Sequence, residues 1–254
     1  MQQVGLAGTE FGPDGFLPAD PAAMAALLAS RHLAAVGGFT PVVLHEHGHD
    51  PAPGIERLLD SYDAAHAGVL VLSAATGRDG YDTRPDLDEA GWQTLLTNLD
   101  RLARLAAARG VRAVLHPHVG TMIERGDQVR RVLEGSAISL CLDTGHLLIG
   151  GTDPAELTRQ TPHRIAHTHF KDVNDQIAAQ VRSGRLTYTE GSGAACTGRW
   201  AAATWTSPPS SATCAAATTT AGTCWSRTPS SPRSPAARDR WLTSGRAPAT
   251  CASC

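Results

Sequence analysis

Apolar residues along this chain fall into two patterns, short continuous runs and stretches that repeat at three and four, and the two alternate. Runs at residues 4–11 (VGLAGTEF), 33–40 (LAAVGGFT), 69–75 (VLVLSAA) and 111–118 (VRAVLHPH) predict strands, the third buried on both faces. Asp20-Pro21 caps a helix reaching about Ser30, with Met24, Leu27 and Leu28 on one side. Residues 55–66 predict a helix with Leu58, Leu59 and Tyr62 inward. Residues 88–109 carry the strongest helical repeat, Trp92, Leu95, Leu96, Leu99, Leu102 and Leu105, and Gly110 stops it. Two shorter helices are predicted at 126–133 and 176–183.

The stretch 138–172 repeats this order within about 35 residues and concentrates the polar chemistry. Two apolar strands end in Asp143-Thr144-Gly145-His146 and in His167-Thr168-His169-Phe170-Lys171-Asp172. Between them Asp153-Pro154-Ala155-Glu156 reads as a helix start: an N-cap, a proline at the first helical position and an acid in the first turn. Six strands alternating with helices, each followed by a polar loop, predict an α/β fold with a parallel sheet. No glycine-rich G-x-G-x-x-G or P-loop follows a strand, which weakens a doubly wound nucleotide-binding fold. Ligand-type residues at several strand ends favour a (β/α)8 TIM barrel instead, incomplete here, with strands 2–7 recognisable.

Composition narrows the function. The formal charge of −2 comes from 22 scattered basic and 24 acidic residues, so no basic stripe argues for nucleic acid. No apolar run approaches a membrane span, and Met1-Gln2-Gln3-Val4-Gly5 lacks the basic and apolar regions of a signal peptide. A soluble cytoplasmic protein acting on a small molecule is expected, with self-association left open. Five of the six cysteines lie in the last 59 residues without a paired C-x-x-C framework, so no zinc ribbon or redox motif is read.

Residues 191–254 differ from the rest. They contain no Val, Ile, Phe, Met, Tyr, Lys, Glu, Gln, Asn or His and one leucine, Leu242. Such a segment cannot bury enough apolar surface to offset its chain entropy, so a disordered low-complexity tail is expected. A reading-frame shift near Glu190 explains its composition better than a natural Ser/Thr/Pro-rich tail. Codons for residues 224–231 (CWSRTPSS) can be chosen so that a neighbouring frame reads V-L-E-Q-D-T-V-L. In the same frame, 191–200 can yield G-L-Y-R-P-L. Two domains follow: 1–190, a partial barrel, and 191–254, an out-of-frame tail.

Each candidate site residue has a plain alternative. Asp143 and His146 can ligate a metal, or Asp143 can cap the next turn while His146 bonds backbone. His116 and His118, like His167 and His169, alternate to one face of a strand. Two such pairs plus an Asp-x-x-His at strand ends point to a divalent metal, and mixed His and carboxylate donors suit Mn²⁺, Co²⁺, Fe²⁺ or Zn²⁺ better than Ca²⁺. Lys171 and Asp172 position substrate oxygens or form an ordinary exposed pair. Glu10 binds substrate, acts as base, or makes a salt bridge within the barrel. His45, Glu46, His47 and His49 read as a solvated loop rather than a metal tract.

Taken together, LCLDTGHLLIGGTDP, IAHTHFKDV, VLHPHVGT and GTEFGPDGFLP resemble the inosose dehydratase branch of the xylose-isomerase-like sugar isomerase/epimerase superfamily, over residues 4–190. The resemblance implies a (β/α)8 barrel with a divalent metal at its carboxyl face, Mn²⁺ or Co²⁺ before Zn²⁺, Fe²⁺ or Mg²⁺. It implies Asp143 and His169 as ligands, with His116 or His118 where many relatives place a glutamate. His146, Lys171 and Glu10 would line the substrate pocket, and His167 or His146 would serve as acid or base. The implied reaction is dehydration of an inosose-like keto-polyol in inositol catabolism, through an enediolate. A ketose isomerase or epimerase is the alternative on the same barrel, and a non-catalytic pseudogene product the alternative of another class. The glutamate that the family's last strand delivers is absent, and V-L-E-Q-D is where it would be sought. The chain begins inside the family match, so the family's first strand is expected to be missing.

Overall fold

A computed structural model describes residues 5–13 and 15–194, together with the backbone of 223 and 224. Its strands are β1 (Gly8–Glu10), β2 (Ala34–Val43), β3 (Val69–Ala75), β4 (Arg112–Leu115), β5 (Ser139–Asp143) and β6 (Ile165–His169). All pair in parallel in sequence order, and the two-residue β7 (Thr223–Cys224) pairs with β6. Strand order never reverses, which excludes a doubly wound sheet. The sheet curls instead: Glu10 Oε1 on β1 lies 2.9 Å from the Nε2 atoms of His167 and His169 on β6. First and sixth strands therefore meet across the interior of a half-barrel.

Helices fill the connections, and their ends follow local chemistry. In α1 (Pro21–Ser30) the Asp20 side chain accepts from the Ala23 N–H at 2.8 Å. In α3 (Glu89–Ala108) Asp88 does the same for Gly91, and Gly110 turns the chain away at φ +72°. Asp153 caps α6 (Pro154–Gln160), accepting from Ala155 and Glu156. The remaining helices are α2 (Ala52–Ala65), α4 (Gly126–Gly135), α5 (Thr144–Ile149), α7 (Asp175–Arg182) and α8 (Tyr188–Gly193).

Two apolar layers separate by strand alternation. On β3, Leu70, Leu72 and Ala74 face outward into a core with Leu95, Leu99 and Leu102 of α3 and Leu59 of α2. Val69 and Val71 face inward with Val114, Cys141 and Ala166. That inner layer is the floor on which the polar residues stand. Gly37 allows β2 to approach β3, because a Cβ there would lie 1.8 Å from the Val69 carbonyl oxygen. Asn98 Nδ2 donates to the Leu44 carbonyl at 2.9 Å and ties α3 to the end of β2.

Three local readings change. The strand expected over 111–118 ends at Leu115, because Pro117 has no N–H to extend a ladder. Thr144–Ile149 is a short helix where no element was expected. A helix also forms at Tyr188–Gly193, closed by a Thr187–Glu190 capping box. The tail assigned to 191–254 lies almost wholly outside the described residues. No helix among the described residues is long and apolar enough to cross a membrane.

Candidate active site

The carboxyl ends of the strands deliver the polar side chains to one place. Glu10 comes from β1, His116 and His118 from the segment after β4, Asp143 from β5, His146 from α5, and His167 and His169 from β6. All are buried, as are Lys171 and Asp172. In the histidine-rich loop after β2, His47 and His49 are exposed, and neither joins any group of potential metal donors.

Asp143 is the hub. Its Oδ2 lies 3.1 Å from His116 Nε2, 2.8 Å from Lys171 Nζ and 3.6 Å from His169 Nδ1. Its Oδ1 accepts the His146 N–H at 2.8 Å, so Asp143 caps α5 and faces the site at once. Burial alone would raise its pKa. Lys171 and His146, followed by the bonds from His116 and His169, instead hold it well below the carboxylate range. Lys171 is fixed from behind: Thr144 Oγ1 donates to the Lys171 carbonyl and accepts its N–H, both at 2.9 Å. Gly145 makes room, since a Cβ there would stand 2.6 Å from Lys171 Cβ.

His169 links two carboxylates, with Nδ1 toward Asp143 and Nε2 on Glu10. Burial opposes its charge, but Cys141, Glu10 and Asp143 around it raise its pKa well above the ordinary value. Glu10 is also buried, yet the charge of His169 and the two imidazole bonds keep its carboxyl below its usual range. Burial lowers His167, brings His116 to about 4, and pushes His118 and His146 well below 6.5.

Hydrogen bonding fixes two tautomers. The Val119 N–H donates to His146 Nδ1 at 3.3 Å, so the His146 proton sits on Nε2, which has no partner among the described residues. His167 donates Nε2–H to Glu10, leaving a buried Nδ1 lone pair with no partner among them. His118 turns its Nδ1 to the Val119 carbonyl at 2.7 Å and stacks on His146, ring centroids 3.6 Å apart. It stands beside the donor groups rather than within one.

Two aromatic side chains at the rim were not anticipated from sequence. Tyr81 lies 5.2 Å from the His118 ring and Tyr188 lies 5.9 Å from His146, beside a cavity of about 350 Å³ also lined by Arg84, Glu124 and Thr187. Their only sequence signal was the capping box at Thr187, which would have placed Tyr188 on a helix.

The arrangement fits a divalent cation. Asp143, His116 and His146 offer ligand atoms within 4.8 Å of one another, as do Glu10, His167 and His169. His116 keeps a buried Nδ1 with no hydrogen-bond partner among the described residues, the kind of lone pair a cation satisfies. Imidazole and carboxylate together suit the borderline and harder divalent ions.

A family model described as a xylose isomerase-like TIM barrel matches residues 3–196. An inosose dehydratase from Lacticaseibacillus casei is 29% identical over 202 residues, covering 75% of this chain and 67% of its own. One from Salmonella agona (strain SL483) is 30% identical over 195 residues, covering 72% and 64%. The matched segments span between 38% and 67% of such curated relatives. Among solved structures, the IolI protein with a binding zinc atom superposes with a TM-score of 0.50 at 16% identity, over 61% of this chain and 58% of that one. That likeness shows the fold.

Proposed function

The chain belongs to the xylose isomerase-like TIM-barrel family, and from that premise we propose that it dehydrates an inosose-like cyclic keto-polyol with a divalent cation held by Asp143, His169 and His116. The observation that carries this reading is the convergence of His116 and His169 on the buried Asp143 carboxylate, with Glu10 joined to it through His169. Two curated inosose dehydratases about 30% identical to the chain supply the substrate class. Mn²⁺ or Co²⁺ fits the carboxylate-containing set first, with Zn²⁺, Fe²⁺ or Mg²⁺ as alternatives.

The bound cation would draw electron density from the ketone carbonyl and acidify the neighbouring C–H. The chain's residues then divide the proton work. His167 is neutral and takes that proton on its free Nδ1, while the Glu10 carboxylate on its Nε2 stabilises the imidazolium formed. The electron pair left on carbon expels the β-hydroxyl, which receives the proton back from His167 and leaves as water. His146 Nε2–H is a ready donor to that departing oxygen. Lys171 and Asp172 orient the remaining hydroxyls.

The test is to incubate the metal-loaded protein with an inosose and, separately, with simple ketoses, and to follow loss of one water by mass spectrometry. Dehydration of the inosose, abolished by Asp143→Ala, is expected. Turnover of a ketose without water loss would replace this reading with an isomerase or epimerase on the same residues, and no turnover of either would favour a non-catalytic product.

A further inference from the structure

Beneath the hub lies a thiol that the proposed reaction does not use, within reach of two of its imidazoles. Cys141 precedes Asp143 by two residues on β5, so both side chains point to the same face of the sheet. Cys141 is a free thiol, fully buried, in the inner layer with Val71, Val114 and Ala166. One ligand atom each from Cys141, His116 and His169 lie within 4.8 Å of one another. Two imidazoles and a thiolate around a buried point form a donor set that Zn²⁺ accepts. Drawing them to a tetrahedral cation requires each pair to close by at most about 1.5 Å.

The two levels of the site differ in chemical character. The upper set centres on Asp143, an oxygen donor already neutralised by Lys171 Nζ at 2.8 Å. A cation entering there competes with an ammonium. The lower set places the Cys141 sulfur among apolar neighbours beside two imidazole nitrogens, and among the described residues no Lys or Arg is bonded to it. Oxygen donors favour Mn²⁺ and Mg²⁺, and thiolate favours Zn²⁺ and Cd²⁺.

We propose that His116, Cys141 and His169 form a second, soft-cation position below the catalytic one, in which Zn²⁺ or Cd²⁺ is trapped as an inhibitor. Binding breaks the Cys141 S–H bond and one N–H bond of the protonated His169, sends both protons to the buffer and forms the sulfur–metal and nitrogen–metal bonds, with no change of oxidation state. Because His116 and His169 serve both levels, a cation in the lower position strips the upper one of its imidazoles. Occupancy is then exclusive, and the softness of the ion decides which level fills. The inhibitory consequence rests on the proposed metal-dependent reaction; the sulfur-ligated site does not.

The experiment uses the full chain, stripped with chelator, with the five tail cysteines replaced by serine so that Cys141 is the only thiol. Cadmium chloride is added and the ultraviolet sulfur-to-cadmium charge-transfer band is recorded for that protein, for Cys141→Ser and for Asp143→Ala, with circular dichroism confirming that each is folded. The band should appear in the parent, vanish in Cys141→Ser and persist in Asp143→Ala. Zinc chloride in excess should diminish it, and Cys141→Ser should bind Zn²⁺ at least about a hundredfold more weakly while Mn²⁺ binding stays within about twofold. A folded parent without the band, or equal Zn²⁺ affinity in parent and Cys141→Ser, would overturn the soft site while leaving the Asp143 reading intact. Loss of Mn²⁺ binding in Asp143→Ala with the band retained would support both.

Discussion

Replacing Lys171 with methionine keeps the length of the side chain and removes the one ammonium bonded to the hub. The pair is worth much in place: Nζ lies 2.8 Å from Asp143 Oδ2, with side-chain exposures of 6% and 0%. At an effective dielectric of 20 the attraction is about 6 kcal/mol. Asp143 would still accept the His146 N–H and the His116 bond, so only part of this is lost. The range for removing one partner of a buried pair, about 3–5 kcal/mol, brackets the result, and a loss near its lower end is expected. Urea unfolding at pH 7 in chelator measures it. Asp143 has a depressed pKa in the fold, so its contribution is full above the ordinary carboxylate value of about 4 and fades as pH falls through the folded one. The gap between variant and parent should narrow along the same path. Mn²⁺ no longer has to displace an ammonium, so the variant should bind it about tenfold or more tightly, and an excess of 100 times Kd should restore about 2.7 kcal/mol. A loss under about 1 kcal/mol, or weaker Mn²⁺ binding, would refute Lys171 as the stand-in counter-charge.

Two further outcomes follow from the same geometry. Metal-free protein should lose stability as pH falls from 6.5 to about 4, because unfolded His116 gains a proton near 6.5 while folded His116 does not until about 4. That difference is about 3 kcal/mol from this buried ring alone, and His118, His146 and His167 act in the same direction. A urea midpoint that stays flat over this range, or a slope unchanged in His116→Gln, would contradict it. Resequencing the gene through the codons for Thr187 to Gly198 and onward should reveal an inserted or deleted base that restores V-L-E-Q-D; a confirmed sequence would sink the proposed frame shift.

Much of the fold was legible because it depends on local chemistry. Asp20 and Asp153 cap the helices they were expected to cap, the helix read over 88–109 forms with Asp88 as its cap, and β3 spans the residues its apolar run marked. Parallel pairing followed from the alternation of elements. The curl was read instead from ligand-type residues at several strand ends, while the contact that spans it, Glu10 reaching across 157 residues to His167, carries no local signal. The alternatives weighed for Asp143 turned out to be compatible, because one carboxylate has two oxygens: Oδ1 caps α5 and Oδ2 gathers Lys171 and His116. Lys171 pairs with the hub inside the site, a fact invisible until β5 and β6 lie side by side. The position of Cys141 could have been read from alternation with Asp143, but a single buried cysteine in an apolar run carries no signal of its neighbours. Tyr81 and Tyr188 reach the rim from segments 107 residues apart, joined where the Thr189 N–H meets Asp82.

On the proposed reading, Asp143 organises a site for one divalent cation. The most direct measurement is a titration of chelator-stripped protein with Mn²⁺, read by the loss of the free-ion electron paramagnetic resonance signal, in parent and in Asp143→Ala. One tightly held ion per chain in the parent and none in the folded variant is the predicted result. Equal binding in the two, or no bound ion in the folded parent, would contradict it.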